Sequence, residues 1–300
     1  MAARPLIMSS LFTLNPDLLG ALDDIPLLAR NVVEGFLSGL HQSPFLGYST
    51  EFASYREYMQ GDDLRHVDWK VWGRTDKLHV KQFESETNLR CHLLLDTSAS
   101  MDFGQCNKFQ YGRALAAALA YLMVRQHDAP GLTLFGAETV QGLPAHSSRR
   151  HLDDLFQLLA GAAPQGRPAP GPDFWNLLET FDRRGLTVVI SDLLMPGEAV
   201  SELFRQLHYH RQETIVFHLL APEELDFRYD GECVFEDVET REEIPVHAGS
   251  FRAEYLRRLA AFRLGLKAEC EKYEIDYQPL RTDAPVTEAL IAYLQGRISV

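Results

Sequence analysis

The sequence predicts an α/β protein built on a doubly wound, mostly parallel sheet, with a smaller β-rich module ahead of it. Three observations predict it. From Leu89 onward, short apolar runs of strand length alternate with amphipathic stretches of helical length, the pattern of a sheet covered by helices on both faces. Two of those runs, Leu93-Leu94-Leu95 and Val188-Val189-Ile190, are apolar at consecutive positions, as strands buried on both faces are. Each leads into a carboxylate, Asp96 and Asp192, at the carboxyl edge where α/β proteins assemble their sites.

Taken in order, Asn15-Pro16-Asp17 opens a helix, with Asn15 as cap and Pro16 in the first turn. Apolar residues recur at helical spacing through Leu19, Leu22, Leu27, Leu28, Val32 and Phe36, and Gly39 is the expected stop, so residues 1–38 read as an N-terminal helical segment. Residues 39–88 change character, with aromatics, glycines and many charges but no long helical period; they read as a small strand-rich module.

Residues 89–300 carry the alternation. Strands are expected over Leu89–Leu95, Gly131–Phe135, Leu186–Ile190, Thr214–Leu220 and Ile275–Pro279. Helices are expected over Lys108–Gln126, Ser148–Leu159, Phe174–Arg183, Glu198–Arg211, Phe251–Tyr273 and Val286–Gln295. The small residues from Ala114 to Tyr121 would let the first of these lie close against the sheet. Gly161 to Pro172, rich in Gly, Pro and Ala, is a loop placed near the same sheet edge as Asp96. Residues 222–249 interrupt the alternation with an acidic stretch and read as a β-hairpin excursion.

Composition narrows the function. The chain has 300 residues, 46% of them hydrophobic, enough for one large domain and a smaller one. Its net charge of −13 disfavours a nucleic-acid backbone or an anionic membrane as partner. Cys91, Cys106, Cys233 and Cys270 form no Cys-x-x-Cys pair, so free thiols are expected and zinc knuckles are not. No run approaches the ~20 apolar residues of a membrane span, and the N-terminus lacks a cleavable signal pattern, so a cytoplasmic location is expected. There is no Gly-x-x-x-x-Gly-Lys-Ser/Thr loop, no Gly-x-Gly-x-x-Gly after a strand and no Gly-x-Ser-x-Gly elbow, so ATP hydrolysis, dinucleotide binding and α/β-hydrolase chemistry are not signalled.

Two constellations carry chemistry. Asp96, Ser98 and Ser100 present oxygens at alternate positions after one strand, and Asp192 follows another. Hydroxyls and carboxylates at one edge suit Mg2+, which takes near-octahedral oxygen coordination and keeps waters; an open position would accept a partner's carboxylate. The bland alternative is that the same residues cap helix starts. The second constellation runs from Tyr55 to Trp69. Arg56 and Arg65 face the carboxylates of Asp62, Asp63 and Asp68, with Tyr58, Gly61 and Trp69 between them, and charge-assisted pairs would tie such a module together structurally.

Asp96-Thr97-Ser98-Ala99-Ser100 with Ser191-Asp192 resembles the metal-ion-dependent adhesion site of von Willebrand factor type A domains. The resemblance implies that a middle-loop Thr completes the shell. Here Gly171-Pro172-Asp173 stands in that place, so Pro172 replaces the hydroxyl, the site is degenerate, and Asp173 is the substitute oxygen. The segment from Arg56 to Trp69, taken with Phe45-Leu46-Gly47, Phe52 and Leu78 to Glu84, resembles the signature of the domain of unknown function 58 family, which joins it to a von Willebrand factor type A-like domain in this order. That resemblance implies an adaptor acting beside a MoxR-type AAA+ ATPase in the assembly or activation of other proteins, with ATP hydrolysis supplied by the partner and the client unnamed. A metal-dependent phosphohydrolase using the same edge and a metal-free scaffold are the alternatives; for the first, Ser98 occupies the place of the second Asp an aspartyl phosphatase would carry.

Overall fold

The computed structural model describes residues 24–42, 55–57, 79–81, 89–136, 140–166, 170–181, 185–236 and 243–298. The chain divides into two compact units, Ser38–Asn88 and the rest. In the smaller unit the described residues are two short strands, β1 (Tyr55–Glu57) and β2 (His79–Lys81), paired antiparallel with Arg56 opposite Val80. Of the eight signature residues, the backbone of Arg56 lies on β1; Tyr58, Gly61, Asp62, Asp63, Arg65, Asp68 and Trp69 lie outside the described residues.

The larger unit opens on α1 (Ile25–Gln42), which buries Ile25, Ala29, Val32, Val33 and Phe36, one face at helical spacing. The helix runs past Gly39, because a lone glycine costs only about 1 kcal/mol and does not by itself end a helix. The expected start at Asn15 lies outside the described residues.

The sheet has six strands in the order β10-β7-β6-β3-β4-β5. These are β3 (Arg90–Asp96), β4 (Ala129–Phe135), β5 (Val140–Leu143), β6 (Leu186–Ser191), β7 (Glu213–Leu220) and β10 (Asp276–Arg281). All neighbours are parallel except β5, which returns antiparallel along β4. The chain begins in the middle at β3, winds outward through β4, then crosses to β6 and winds the other way. The winding therefore reverses between β3 and β6, and at such a switch point the carboxyl ends of the two strands open a crevice.

Successive residues of the central strands face opposite layers. Leu94, Val189 and Val216 pack under α4 (Pro172–Glu179), α5 (Gly197–Tyr209) and α7 (Ala248–Lys272), with Phe174, Leu203, Phe204 and Leu266 closing that core. On the other face, α2 (Lys108–Arg125) packs against β3 and β4, flanked by α3 (Arg149–Gly161) and α8 (Val286–Ile298). Its Gly112 sits where a Cβ would come within 3.0 Å of Leu95 and 3.2 Å of Ile190 and Leu219. Close approach thus depends on Gly112 as well as on the alanines the sequence singled out.

The excursion after β7 is a helical turn, α6 (Pro222–Asp226), and then an antiparallel hairpin of β8 (Glu232–Glu236) and β9 (Glu243–His247). Phe227 stands at its root with φ 43°, its ring 4.8 Å from that of Tyr255 and 5.8 Å from that of Phe235. None of the four cysteines is in a disulfide, and Cys91 and Cys270 are buried. No helix among the described residues is long and apolar enough to cross a membrane.

Candidate functional site

The site lies at the switch point. Leu95 pairs with Ile190 in parallel register, so the next residues, Asp96 and Ser191, leave the sheet side by side. Ser191 Oγ donates to Asp96 Oδ2 at 2.6 Å and accepts from the Leu193 N–H at 2.8 Å. Leu193 has φ 53°, a costly conformation for a branched side chain, and the Ser191 hydroxyl is what holds its N–H.

On the β3 side, Asp96 Oδ1 accepts from the Ser98 N–H at 2.8 Å, and Ser98 Oγ and Ser100 Oγ lie 3.0 Å apart. Thr97 ties the loop sideways, its N–H and hydroxyl both donating to the Phe135 carbonyl at the end of β4. The loop expected near this edge is there, with Ala99 N–H donating to Gly166 O and Gln165 N–H to Thr97 O. Pro172 is the first residue of α4, where its fixed φ suits a helix start, and Asp173 lies exposed in the first turn.

Asp96 is fully buried. Burial, and secondarily the charge of Asp192, pushes its carboxyl up to about 6, against the lowering effect of the Ser191 and Ser98 hydrogen bonds.

Asp192 is occupied differently. Its Oδ1 accepts from the Leu194 N–H at 3.1 Å, and its Oδ2 takes the Lys108 ammonium at 2.7 Å. The same ammonium reaches Glu224 Oε1 at 2.8 Å, while Glu224 Oε2 accepts from the Ala221 N–H at 2.7 Å. Lys108 is 1% exposed. Burial alone would lower its pKa, but Asp192 and then Glu224 outweigh that and hold it above its ordinary value. Lys108 is also the first residue of α2, where the helix dipole disfavours a cation. The two carboxylates offset both penalties.

The structure therefore brings together Asp96, Ser98, Ser100 and Asp192, gives Ser191, which the sequence reading quoted beside Asp192, a hydrogen-bonding role, and adds two residues that reading did not single out, Lys108 and Glu224. A lysine at the first position of a mostly apolar helix was the signal available, since a cation buried there needs nearby acids.

Asp96, Ser98 and Ser100 are hard oxygen donors of the kind Mg2+ takes. Asp192 differs from Asp96 in that a fixed positive charge, the Lys108 ammonium, already sits on its Oδ2 and competes with a cation there. Among the described residues, no group of three or more His, Cys, Asp or Glu side chains is placed to hold a metal ion.

A family model described as "Protein of unknown function DUF58" matches residues 54–264. The chain is 27% identical over 291 residues to an uncharacterized protein of Mycobacterium bovis, covering 94% of this chain and 90% of that one. It is 26% identical over 123 residues to the uncharacterized protein YeaD of Bacillus subtilis, covering 41% of this chain and 28% of that one. Among solved structures it is similar to the conserved hypothetical protein BatB from Bacteroides thetaiotaomicron, with TM-score 0.47, 15% identity, and coverage of 70% of this chain and 99% of that one. It is also similar to the SpRpn10 VWA domain, with TM-score 0.37, 10% identity, and coverage of 67% and 94%.

Proposed function

We propose, for a chain that belongs to the DUF58 family of proteins of unknown function, that it is a non-enzymatic protein-protein interaction module whose docking edge is the crevice at the ends of β3 and β6. The observation that carries this is that the ionisable groups of the edge are spent on one another. Asp96 is tied to Ser191 and Ser98, and Asp192 and Glu224 are tied to Lys108. A general acid or base has to exchange protons with a substrate, and groups locked in buried pairs are built for rigidity instead. A phosphohydrolase at this edge would need Asp192 released from Lys108.

The expected partner is a MoxR-type AAA+ ATPase in the cytoplasm, which would supply the nucleotide hydrolysis for which this sequence has no phosphate loop; family membership supports that partner. Its client is a further protein. If Mg2+ takes part, Asp96, Ser98 and Ser100 would hold it and its role would be to bind a carboxylate of the partner. A metal-free scaffold is the second reading, favoured by the Lys108 ammonium already resting on Asp192.

The test is a pull-down of the full chain from its source cell, with Mg2+ and with chelator, alongside Asp96→Ala and Leu194→Arg, the latter because Leu194 is 45% exposed beside the edge. Retention of an AAA+ ATPase by the wild type and its loss in Leu194→Arg are expected. Sensitivity to chelator and to Asp96→Ala would assign the metal a role, and indifference to both would support the scaffold. Recovery of no AAA+ ATPase under either condition sinks the partner assignment.

A further inference from the structure

Beside the switch point, between the carboxyl end of β7 and helix α7, lies a cavity of about 300 Å3. Its walls include Leu194, Leu259 and Phe262, and its polar groups include Asp192, His218 and Glu224. His218 is fully buried, and its Nε2 has no hydrogen-bond partner. Leu194 and Arg258 are exposed and mark the mouth.

The Tyr277 oxygen lies 2.6 Å from His218 Nδ1, so that ring nitrogen is matched. Nε2 is the ring nitrogen left to a ligand, as donor or acceptor according to the tautomer. Burial keeps the ring neutral, lowering its pKa to about 4. The Asp192 backbone lies near the ring, but Nε2 makes no well-aligned hydrogen bond and borders a mostly apolar cavity; a buried polar atom left unmatched costs about 1–3 kcal/mol.

Charge narrows the ligand. All four carboxylate oxygens of Asp192 and Glu224 already accept a hydrogen bond, from Leu194, Lys108 and Ala221. A cationic ligand finds no unpaired acid, and an anionic one meets two carboxylates, with the Lys108 ammonium already spent on them and Arg258 at the mouth already paired with Glu254. Each carboxylate oxygen keeps a second lone pair, so the walls offer His218 Nε2, the Tyr255 side chain and several acceptors to a neutral group. A hydroxyl both accepts and donates, and a volume near the lower end for small-molecule sites suits a single ring.

We propose that this cavity binds a phenol, its hydroxyl hydrogen-bonding His218 Nε2 and reaching Asp192 or Glu224 while the ring packs among Leu194, Leu259 and Phe262. The phenol is either a free small molecule or the tyrosine side chain of a bound protein. The cavity shares Asp192, Leu194 and Glu224 with the docking edge, but it is read by ligand binding to the chain alone, so its test and that of the adaptor function fail separately.

Protein-observed NMR titration of the full chain with 4-methylphenol, toluene and N-acetyl-L-tyrosinamide tests it. Toluene, which lacks the hydroxyl, is expected to bind about tenfold or more weaker than 4-methylphenol. His218→Phe keeps a ring but loses Nε2, and should bring 4-methylphenol down to the level of toluene. Leu259→Trp fills the space and should abolish binding of both, with circular dichroism confirming that each variant is folded. N-acetyl-L-tyrosinamide binding at least as well as 4-methylphenol assigns the site to a protein's tyrosine; binding of the free phenol alone assigns it to a small molecule. Absence of 4-methylphenol binding, equal affinity for toluene in the wild type, or binding that survives Leu259→Trp would overturn the proposal.

Discussion

The Lys108 ammonium lies 2.7 Å from Asp192 Oδ2, and both side chains are 1% exposed. With Glu224 at 2.8 Å on its other side, Lys108 joins the start of α2 to the ends of β6 and β7 across the edge where the sheet changes direction. Removing one member of a buried ion cluster leaves the others charged and unsolvated. Lys108→Met is therefore expected to destabilise the protein by about 3–5 kcal/mol in urea unfolding. Adding Asp192→Asn and Glu224→Gln should recover a substantial part of that loss. A cost below ~1 kcal/mol for the single variant would show the trio to be solvated rather than buried.

Ser191 serves two groups at once, the Asp96 carboxylate and the N–H of Leu193 in its left-handed conformation. Ser191→Ala should cost about 1–3 kcal/mol, the range for leaving buried polar groups unmatched. Because the hydroxyl's hydrogen bond holds the Asp96 pKa down, its loss should also move that pKa further up, read by NMR titration of the Asp96 carboxyl. An unchanged titration would separate Asp96 from Ser191 in solution.

The pH dependence has two opposed contributions. Asp96 titrates at about 6 folded against 3.8 unfolded, so between those values the folded chain binds the extra proton; its contribution to stability falls as pH rises from about 4 to about 6 and is level above. His218 titrates at about 4 folded against 6.5 unfolded, so the unfolded chain binds the extra proton and its contribution rises with pH over about 4 to 6.5. Chemical denaturation across this window should therefore show stability rising more steeply with pH in Asp96→Asn than in wild type, and less steeply in His218→Phe. The reverse order would invert both assignments.

Gly112 is where α2 comes nearest the sheet, with Leu95, Ile190 and Leu219 within 3.2 Å of where a side chain would begin. Gly112→Leu should force the helix off the strands and cost about 1–3 kcal/mol or more, seen as a lowered Tm. Gly161→Leu, where a Cβ meets nothing within 4 Å, is the control and should change little.

Several elements were legible without coordinates. Leu93 to Leu95 and Val188 to Ile190 read as central strands because burial on both faces demands apolar residues at every position. Strand β5 did not, since Val140–Leu143 is short, half-exposed and paired on one side only, so Val-Gln-Gly-Leu shows neither a continuous apolar run nor a clean alternation. The hairpin excursion was visible from its acidic break in the pattern, but the helical turn of α6 that sets Glu224 against Lys108 was not.

By itself the sequence determined the fold class, the strands that end at the site and the oxygens of Asp96, Ser98, Ser100 and Asp192, because element type and burial repeat over neighbouring residues. Only the tertiary structure decided what those oxygens are bound to. Lys108 meets Asp192 and Glu224 across 84 and 116 positions, and Ser191 meets Asp96 across 95, distances along the chain that no local period records. Strand register and the reversal of winding between β3 and β6 bring them together, and that turns an apparent cation site into one where a lysine already holds one of the two acids.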